Sequence, residues 1–267
     1  MSLSLATPHP RPLSRPLHLE AVGRTHPGWR RHRNEDDFAV YPELGLFIVA
    51  DGMGGHAGGD IAAGMAVATV TEAITDAGPP SSRRSPSVAG ALLVSAIQRA
   101  NASIFAAAQQ DSAMYGMGTT IVAALAHSEC LVVAHTGDSR AYLVRGRRLE
   151  VLTEDHSFLN QCRHAGVDPL TRPDLQRYRN ALACAVGPQE TVHVDTRLLQ
   201  PEADDMLLLC SDGLTCVVDD REIDAILVGC GDLGTAADKL IARANEHGGP
   251  DNVTVVLARW TRRAAAP

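Results

Sequence analysis

No C-x-x-C pair, no N-terminal apolar h-region, no membrane-length apolar run and no excess of basic charge occur in this chain of 267 residues. The six cysteines (Cys130, Cys162, Cys184, Cys210, Cys216 and Cys230) form no C-x-x-C pair, and Cys210 closes the apolar run LLLC. Reduced, buried thiols are therefore expected, not a disulfide framework. No apolar run approaches the ~18–20 residues that a bilayer demands. The opening MSLSLATPHPRPLSRPLHLE is broken by Pro and Arg and has no apolar h-region, so no signal peptide is expected. A cytoplasmic location follows from these absences. The formal net charge of −7 argues against nucleic acid as the main partner, because phosphate backbones reward clustered Lys and Arg. No internal repeat and no regular strand–helix alternation occurs, which excludes a doubly wound parallel sheet.

What is present suffices for a substantial core: 45% of the residues are apolar and 21% charged. Residues 1–18, rich in Pro, Ser and Arg, are expected to be a loosely packed leader, and 262–267 a frayed tail. Between them, 19–261 is expected to form one domain. Short strands are expected at 37–41 and 45–50, and helices at 59–77 and 88–110. Four strands at 119–127, 130–136, 140–145 and 148–153, joined by short turns, predict an antiparallel meander. Residues 157–182 carry Arg163, Arg172, Arg177 and Arg179 and suggest a helix followed by an irregular surface excursion. Strands at 191–199 and 206–210, helices near 219–228 and 233–247, and a final strand at 252–260 complete the pattern. Strands outnumber helices, so an α+β fold with sheets packed between helices is expected.

Three segments share one grammar, an apolar strand beside an Asp at a Gly- or Pro-marked turn: LFIVADG around Asp51, LLLCSDG around Asp212 and GGPDNVTVVLA around Asp251. Any one such Asp ordinarily bonds nearby backbone N–H groups. Three at a common rim would repel one another unless a cation neutralised them. Carboxylate and carbonyl oxygens are hard ligands, which points to Mg²⁺ or Mn²⁺. Gly52 would let its carbonyl approach such an ion. In RHRNEDD, Arg31 suits a bidentate grip on a phosphate, while Glu35 and Asp36 could share the metal shell. Gly52-x-Gly54-x-x-Ala57 superficially matches a dinucleotide fingerprint, but the residue some 20 positions on, Glu72, falls inside a helical pattern. His56, beside the acidic cluster, suits proton donation near neutrality. Asp138, in Gly137-Asp138-Ser139-Arg140 between two strands, could join the same rim.

RHRNEDD, VADGMGGHAGG, GMGTT, HTGDSRAYLV, LLLCSDGL and GGPDNVTVVL occur in this order. Together they resemble the motif series of the protein phosphatase 2C (PPM, metal-dependent) family in its compact bacterial form, over about residues 20–260. That resemblance implies a sandwich of two mostly antiparallel β-sheets flanked by α-helices, with a metal centre at one end. It implies two Mn²⁺ or Mg²⁺ ions held by Asp51, Asp212, Asp251 and the Gly52 carbonyl. Glu35 would reach a metal, commonly through water, with Asp36 in support. Asp138 with Asp212 would hold a third, weaker ion. Arg31 would bind phosphate, His56 would be the general acid, and 157–182 a mobile flap. The implied activity is hydrolysis of phosphoserine and phosphothreonine by a metal-bridging hydroxide. The implied partners are phosphorylated proteins, including a Ser/Thr kinase and its substrates, met by a monomer away from membranes and nucleic acid. Other phosphatase chemistries lack their signatures: no Cys is followed six positions on by Arg, and neither D-x-D nor G-D-x-H-G occurs. The competing possibility is a partner-binding module on the same fold without turnover.

Overall fold

The structure, a computed structural model, describes residues 17–54, 58–78, 85–127, 130–178 and 181–262. Alternating and continuous apolar runs form eleven strands: β1 (Leu17–His26), β2 (Asp36–Tyr41), β3 (Leu46–Met53), β4 (Gly118–Thr119), β5 (Ile121–His127), β6 (Cys130–Thr136), β7 (Arg140–Arg145), β8 (Arg148–Val151), β9 (Asp195–Leu199), β10 (Met206–Cys210) and β11 (Val253–Arg262). They build two antiparallel sheets, one ordered β1-β11-β10-β7-β8 and the other β2-β3-β5-β6-β9, with β4 pairing to β3.

The sheets pack face to face. Phe47, Val49, Val122 and Val133 of one meet Leu143, Leu207, Leu209 and Val256 of the other. Full burial of each such side chain stabilises by roughly 1.5–3 kcal/mol before conformational entropy is charged against it. Helices α1 (Gly59–Asp76) and α2 (Pro86–Gln110) cover the outer face of the β3 sheet through Val70, Ile74, Leu93, Ile97 and Ile104. Helix α2 is long and apolar enough to cross a bilayer by composition alone, yet these residues are spent on the core. Short α4 (Asp212–Thr215), α5 (Asp220–Gly229) and α6 (Leu233–Glu246) cover the other sheet with Leu214, Ile223, Leu227, Ala237 and Leu240. Asp219 and Asp232 cap α5 and α6, accepting N–H bonds at 2.8–2.9 Å; an N-cap of this kind contributes about 1 kcal/mol. The layered α-β-β-α arrangement expected from the sequence is the one observed.

The four-strand meander is not. Strands β5 and β6 pair in one sheet and β7 and β8 in the other, and the chain crosses the sandwich between Thr136 and Arg140. Both edges of β6 are taken, by β5 and by β9. Strand β7 pairs instead with β10, Arg140 opposite Cys210. Apolar periodicity sets which face a side chain takes, not which sheet the strand joins. Gly137, with φ of +107°, makes the crossing; a Cβ there would lie 2.6 Å from the Thr120 side chain.

Two bounds differ by about three residues or more. The strand expected at 191–199 begins only at Asp195, and β3 runs past residue 50 to Met53, so Asp51 and Gly52 lie within a strand, not beyond its end. Residues 157–182 hold α3 (Phe158–His164) and two 3₁₀ turns, Pro169–Thr171 and Pro173–Tyr178, in keeping with a helix and an irregular excursion.

Candidate active site

Each acidic residue reaches the site from a different element. Asp36 and Asp51 stand opposite each other on the paired strands β2 and β3. Asp138 lies in the crossing turn, Asp212 opens α4 after Ser211, and Asp251 precedes β11. Arg31, Glu35, Asp51, Gly52, Asp138, Asp212 and Asp251 line one cleft of 870 Å³. Residues 182–185 and 191–193 form part of its wall.

The 27–35 segment is held against the 249–252 turn by backbone and side-chain bonds. Trp29 and Arg30 donate their N–H groups to the Gly249 carbonyl at 2.8 and 3.2 Å. Asn252 donates from Nδ2 to the carbonyls of Pro27 and Arg33, and its Oδ1 accepts the Glu35 N–H at 2.8 Å. Gly52 donates its N–H to the Glu35 carbonyl, and a Cβ at Gly52 would come within 2.1 Å of the Gly59 carbonyl oxygen. Glycine is therefore needed here for close backbone approach.

Asp36 is not in the cleft wall but beneath it. Its Oδ2 accepts from Ser211 Oγ at 2.8 Å and Thr254 Oγ1 at 2.7 Å, while Oδ1 is buried with no hydrogen-bond partner among the described residues. Burial pushes its carboxyl up to about 7, against the pull of those two hydroxyls. Burial, and then Asp212, lift Asp138 to about 7. Asp51 stands well above its ordinary value through burial and then the neighbouring Asp36, Asp212 and Asp138; Asp212 is raised through burial and then Asp251. Arg31 Nη2 donates to Asp251 Oδ2 at 2.7 Å and offsets part of this negative charge. Arg140 is engaged elsewhere, held by both oxygens of Asp155. An orphaned buried carboxylate oxygen and a surplus of crowded hard donors fit divalent cations of the Mg²⁺ or Mn²⁺ type.

This crowding makes stability depend on pH in the chelated protein. Asp36 and Asp138 keep their protons in the fold up to about pH 7, whereas an unfolded Asp ionises near pH 4. The folded state therefore binds more protons between these values, and its stability falls as pH rises across that window. Urea midpoints of chelated protein should show this fall, and added Mn²⁺ should remove it. A flat midpoint for the chelated protein would contradict the assigned shifts.

The sequence motifs did not anticipate Asn252, Thr120, Ser211 and Thr254 as supports of the site. Their only signal was adjacency: Asn252 follows Asp251, Ser211 precedes Asp212, and both lie inside motifs singled out for their Asp. His56 lies outside the described residues, as does Arg179. Of the other flap arginines, Arg163 bonds Asn160, Arg172 pairs with Asp174 and Arg177 stacks on Tyr178 at 4.7 Å. None of these three lines the cleft.

Known proteins resemble this chain in sequence and in fold. A family model described as protein phosphatase 2C matches residues 23–233. The serine/threonine phosphatase Stp of Listeria welshimeri is 38% identical over 244 residues, 90% of this chain and 95% of that protein. The serine/threonine protein phosphatase PstP of Mycobacterium tuberculosis is 34% identical over 91% of this chain, which spans 45% of the PstP length. The crystal structure of that phosphatase superposes with a TM-score of 0.80 at 32% identity, covering 91% of this chain and 99% of that one. A PstP catalytic domain in complex with two manganese ions gives 0.79 at 32% identity, covering 92% and 100%. With its motifs in order, its two sheets stacked and its acidic cleft between them, the chain belongs to the protein phosphatase 2C family.

Proposed function

We propose that this protein is a metal-dependent phosphatase of phosphoserine and phosphothreonine in proteins. The carrying observation is the convergence of Asp51, Asp138, Asp212 and Asp251 with Arg31 in one cleft, over the buried Asp36. Asp51, Asp212, Asp251 and the Gly52 carbonyl would hold two Mn²⁺ or Mg²⁺ ions, with Glu35 and Asp36 supporting them and Asp138 available to a third. When bound, such ions supply a water nucleophile at neutral pH and neutralise phosphoryl charge. Arg31, on the cleft wall, orients the phosphate group and stabilises charge developing on its oxygens. His56 would protonate the seryl or threonyl oxygen as it leaves.

Steady turnover of a phosphothreonine peptide by purified protein with Mn²⁺ tests the proposal; absence of turnover overturns it. The physiological setting we infer is a monomer in the cytoplasm opposing a Ser/Thr protein kinase, supported by relatives named serine/threonine phosphatases. A phosphoproteome compared with and without the protein would identify the substrates.

Arg31→Ala removes both the phosphate contact and the ion pair with Asp251. Hydrogen bonds to charged groups are worth about 1.5–3 kcal/mol, so KM for phosphopeptide should rise about 10- to 100-fold. Calorimetric Mn²⁺ affinity should not weaken, since a competing cation has gone. An unchanged KM would remove Arg31 from phosphate binding.

A further inference from the structure

His156 sits outside the acidic cleft, yet it takes both backbone groups of Gly137, the residue before Asp138. Its N–H donates to the Gly137 carbonyl at 2.9 Å, and its Nδ1 accepts the Gly137 N–H at 3.3 Å. A backbone amide is always the donor, so Nδ1 must present a lone pair and the ring proton must sit on Nε2. From there it is donated to Asp195 Oδ2 at 2.9 Å, on the first residue of β9. Asp195 Oδ1 is bonded in turn to His193 Nε2 at 2.9 Å. The His156 ring is backed by His135, with ring centroids 4.6 Å apart, and His135 Nε2 is fixed on the Glu154 carbonyl at 2.8 Å.

His135, His156 and Asp195 bring donor atoms within 4.8 Å of one another, a spacing that invites a cation. The tautomer decides against it. An ion on His156 Nε2 would drive the proton to Nδ1, where it would face the Gly137 N–H. His156 and Asp195 instead form a hydrogen-bond relay running from β9 to the crossing turn, with the His135 ring packed behind it.

That turn reaches the cleft on two paths. Asp138 lines it directly. Ser139 Oγ bonds Thr120 Oγ1 at 2.7 Å, and Thr120 Oγ1 accepts the Asp51 N–H at 3.1 Å. The His156 carbonyl also accepts the N–H of Ala183, a cleft-wall residue at the far end of the 157–182 segment, at 2.7 Å. One side chain and its backbone thus join β9, the Asp138 turn and the flap base.

We propose that His156 and Asp195 are positioning residues for the reaction: through the Gly137 N–H they set where the Asp138 carboxylate stands and couple it to the flap base. This rests on the phosphatase activity proposed above. Two amide substitutions separate the two halves of the ring. Asn places a carbonyl oxygen near the Nδ1 position and keeps an acceptor for Gly137. Gln places its amide nitrogen near Nε2, keeping the donor to Asp195 but losing the Gly137 acceptor.

The experiment compares wild type, His156→Asn, His156→Gln and Asp195→Ala. It reads Gly137 amide hydrogen exchange, calorimetric Mn²⁺ binding, and kcat on a phosphothreonine peptide. Outer-sphere partners of a metal site typically affect affinity or activity about 10- to 100-fold. His156→Gln should accelerate Gly137 exchange, and it should lower both the weakest Mn²⁺ affinity and kcat by about tenfold. His156→Asn should restore most of each. Asp195→Ala, at a half-exposed side chain, should shift all three in the Gln direction without unfolding the protein. Equal behaviour of the Asn and Gln variants, or unchanged Gly137 exchange in His156→Gln and Asp195→Ala, would overturn the relay. An inactive wild type would overturn the phosphatase activity instead, and Gly137 exchange would still decide the relay.

Discussion

Asp212→Ala and Asp251→Ala should each cut turnover of p-nitrophenyl phosphate and phosphopeptide by on the order of 10²–10³-fold or more, the scale set by removing one electrostatic partner of a transition state. The cost falls on function because these carboxylates are poorly placed for the fold alone. Burial, and then the neighbouring Asp251, raise the Asp212 carboxyl. Removing it relieves repulsion, so the melting temperature of chelated Asp212→Ala should equal or exceed that of chelated wild type. Asp251 differs, because its Oδ2 holds Arg31 and its Oδ1 accepts the Asn252 N–H at 2.9 Å. Its loss should leave Arg31 unpaired and bring a modest fall in stability beside the large fall in turnover. Calorimetry should show a lost Mn²⁺ equivalent in both variants. Wild-type kinetics in either one would show that its carboxylate is not a ligand.

Exhaustive chelation should abolish turnover, and Mn²⁺ or Mg²⁺ should restore it. The same step should lower thermal stability near pH 7, because it returns Asp36, Asp51, Asp138 and Asp212 to mutual repulsion in a partly desolvated cleft. Ligand binding to the folded state alone stabilises it by RT ln(1 + [L]/Kd), about 2.7 kcal/mol at a hundredfold excess over Kd. A concentration-dependent rise in melting temperature with Mn²⁺ is therefore expected, steep near neutrality and shallower toward pH 4, where the carboxylates are protonated and the repulsion is gone. Full activity after chelation would exclude a metal-dependent reaction. A melting temperature indifferent to Mn²⁺ would place the ions elsewhere than in this cleft.

The elements and the chemistry of the cleft's acidic residues were legible in the chain. Apolar periodicity marked α1, α2, β3, β5, β6, β10 and β11 to within a few residues, because each must bury one face or both. Asp51, Asp212 and Asp251 stood out because carboxylates set beside apolar strands at Gly or Pro turns are hard to explain as core or as simple surface. How β6 and β7 part into different sheets emerged with the folded arrangement, since alternation is blind to strand partner. That arrangement alone put Asp36 under the cleft with one oxygen unbonded, and it alone revealed Asn252 and Thr254 as supports. His156, 18 positions after Asp138 in the chain, turns back onto Gly137 because a hairpin's length of strand returns it there. Hydrogen-bonding side chains act over about 3 Å, whereas Asp36 and Thr254 are 218 residues apart along the chain. Their contact arises only when two sheets, each assembled from distant strands, close on one another.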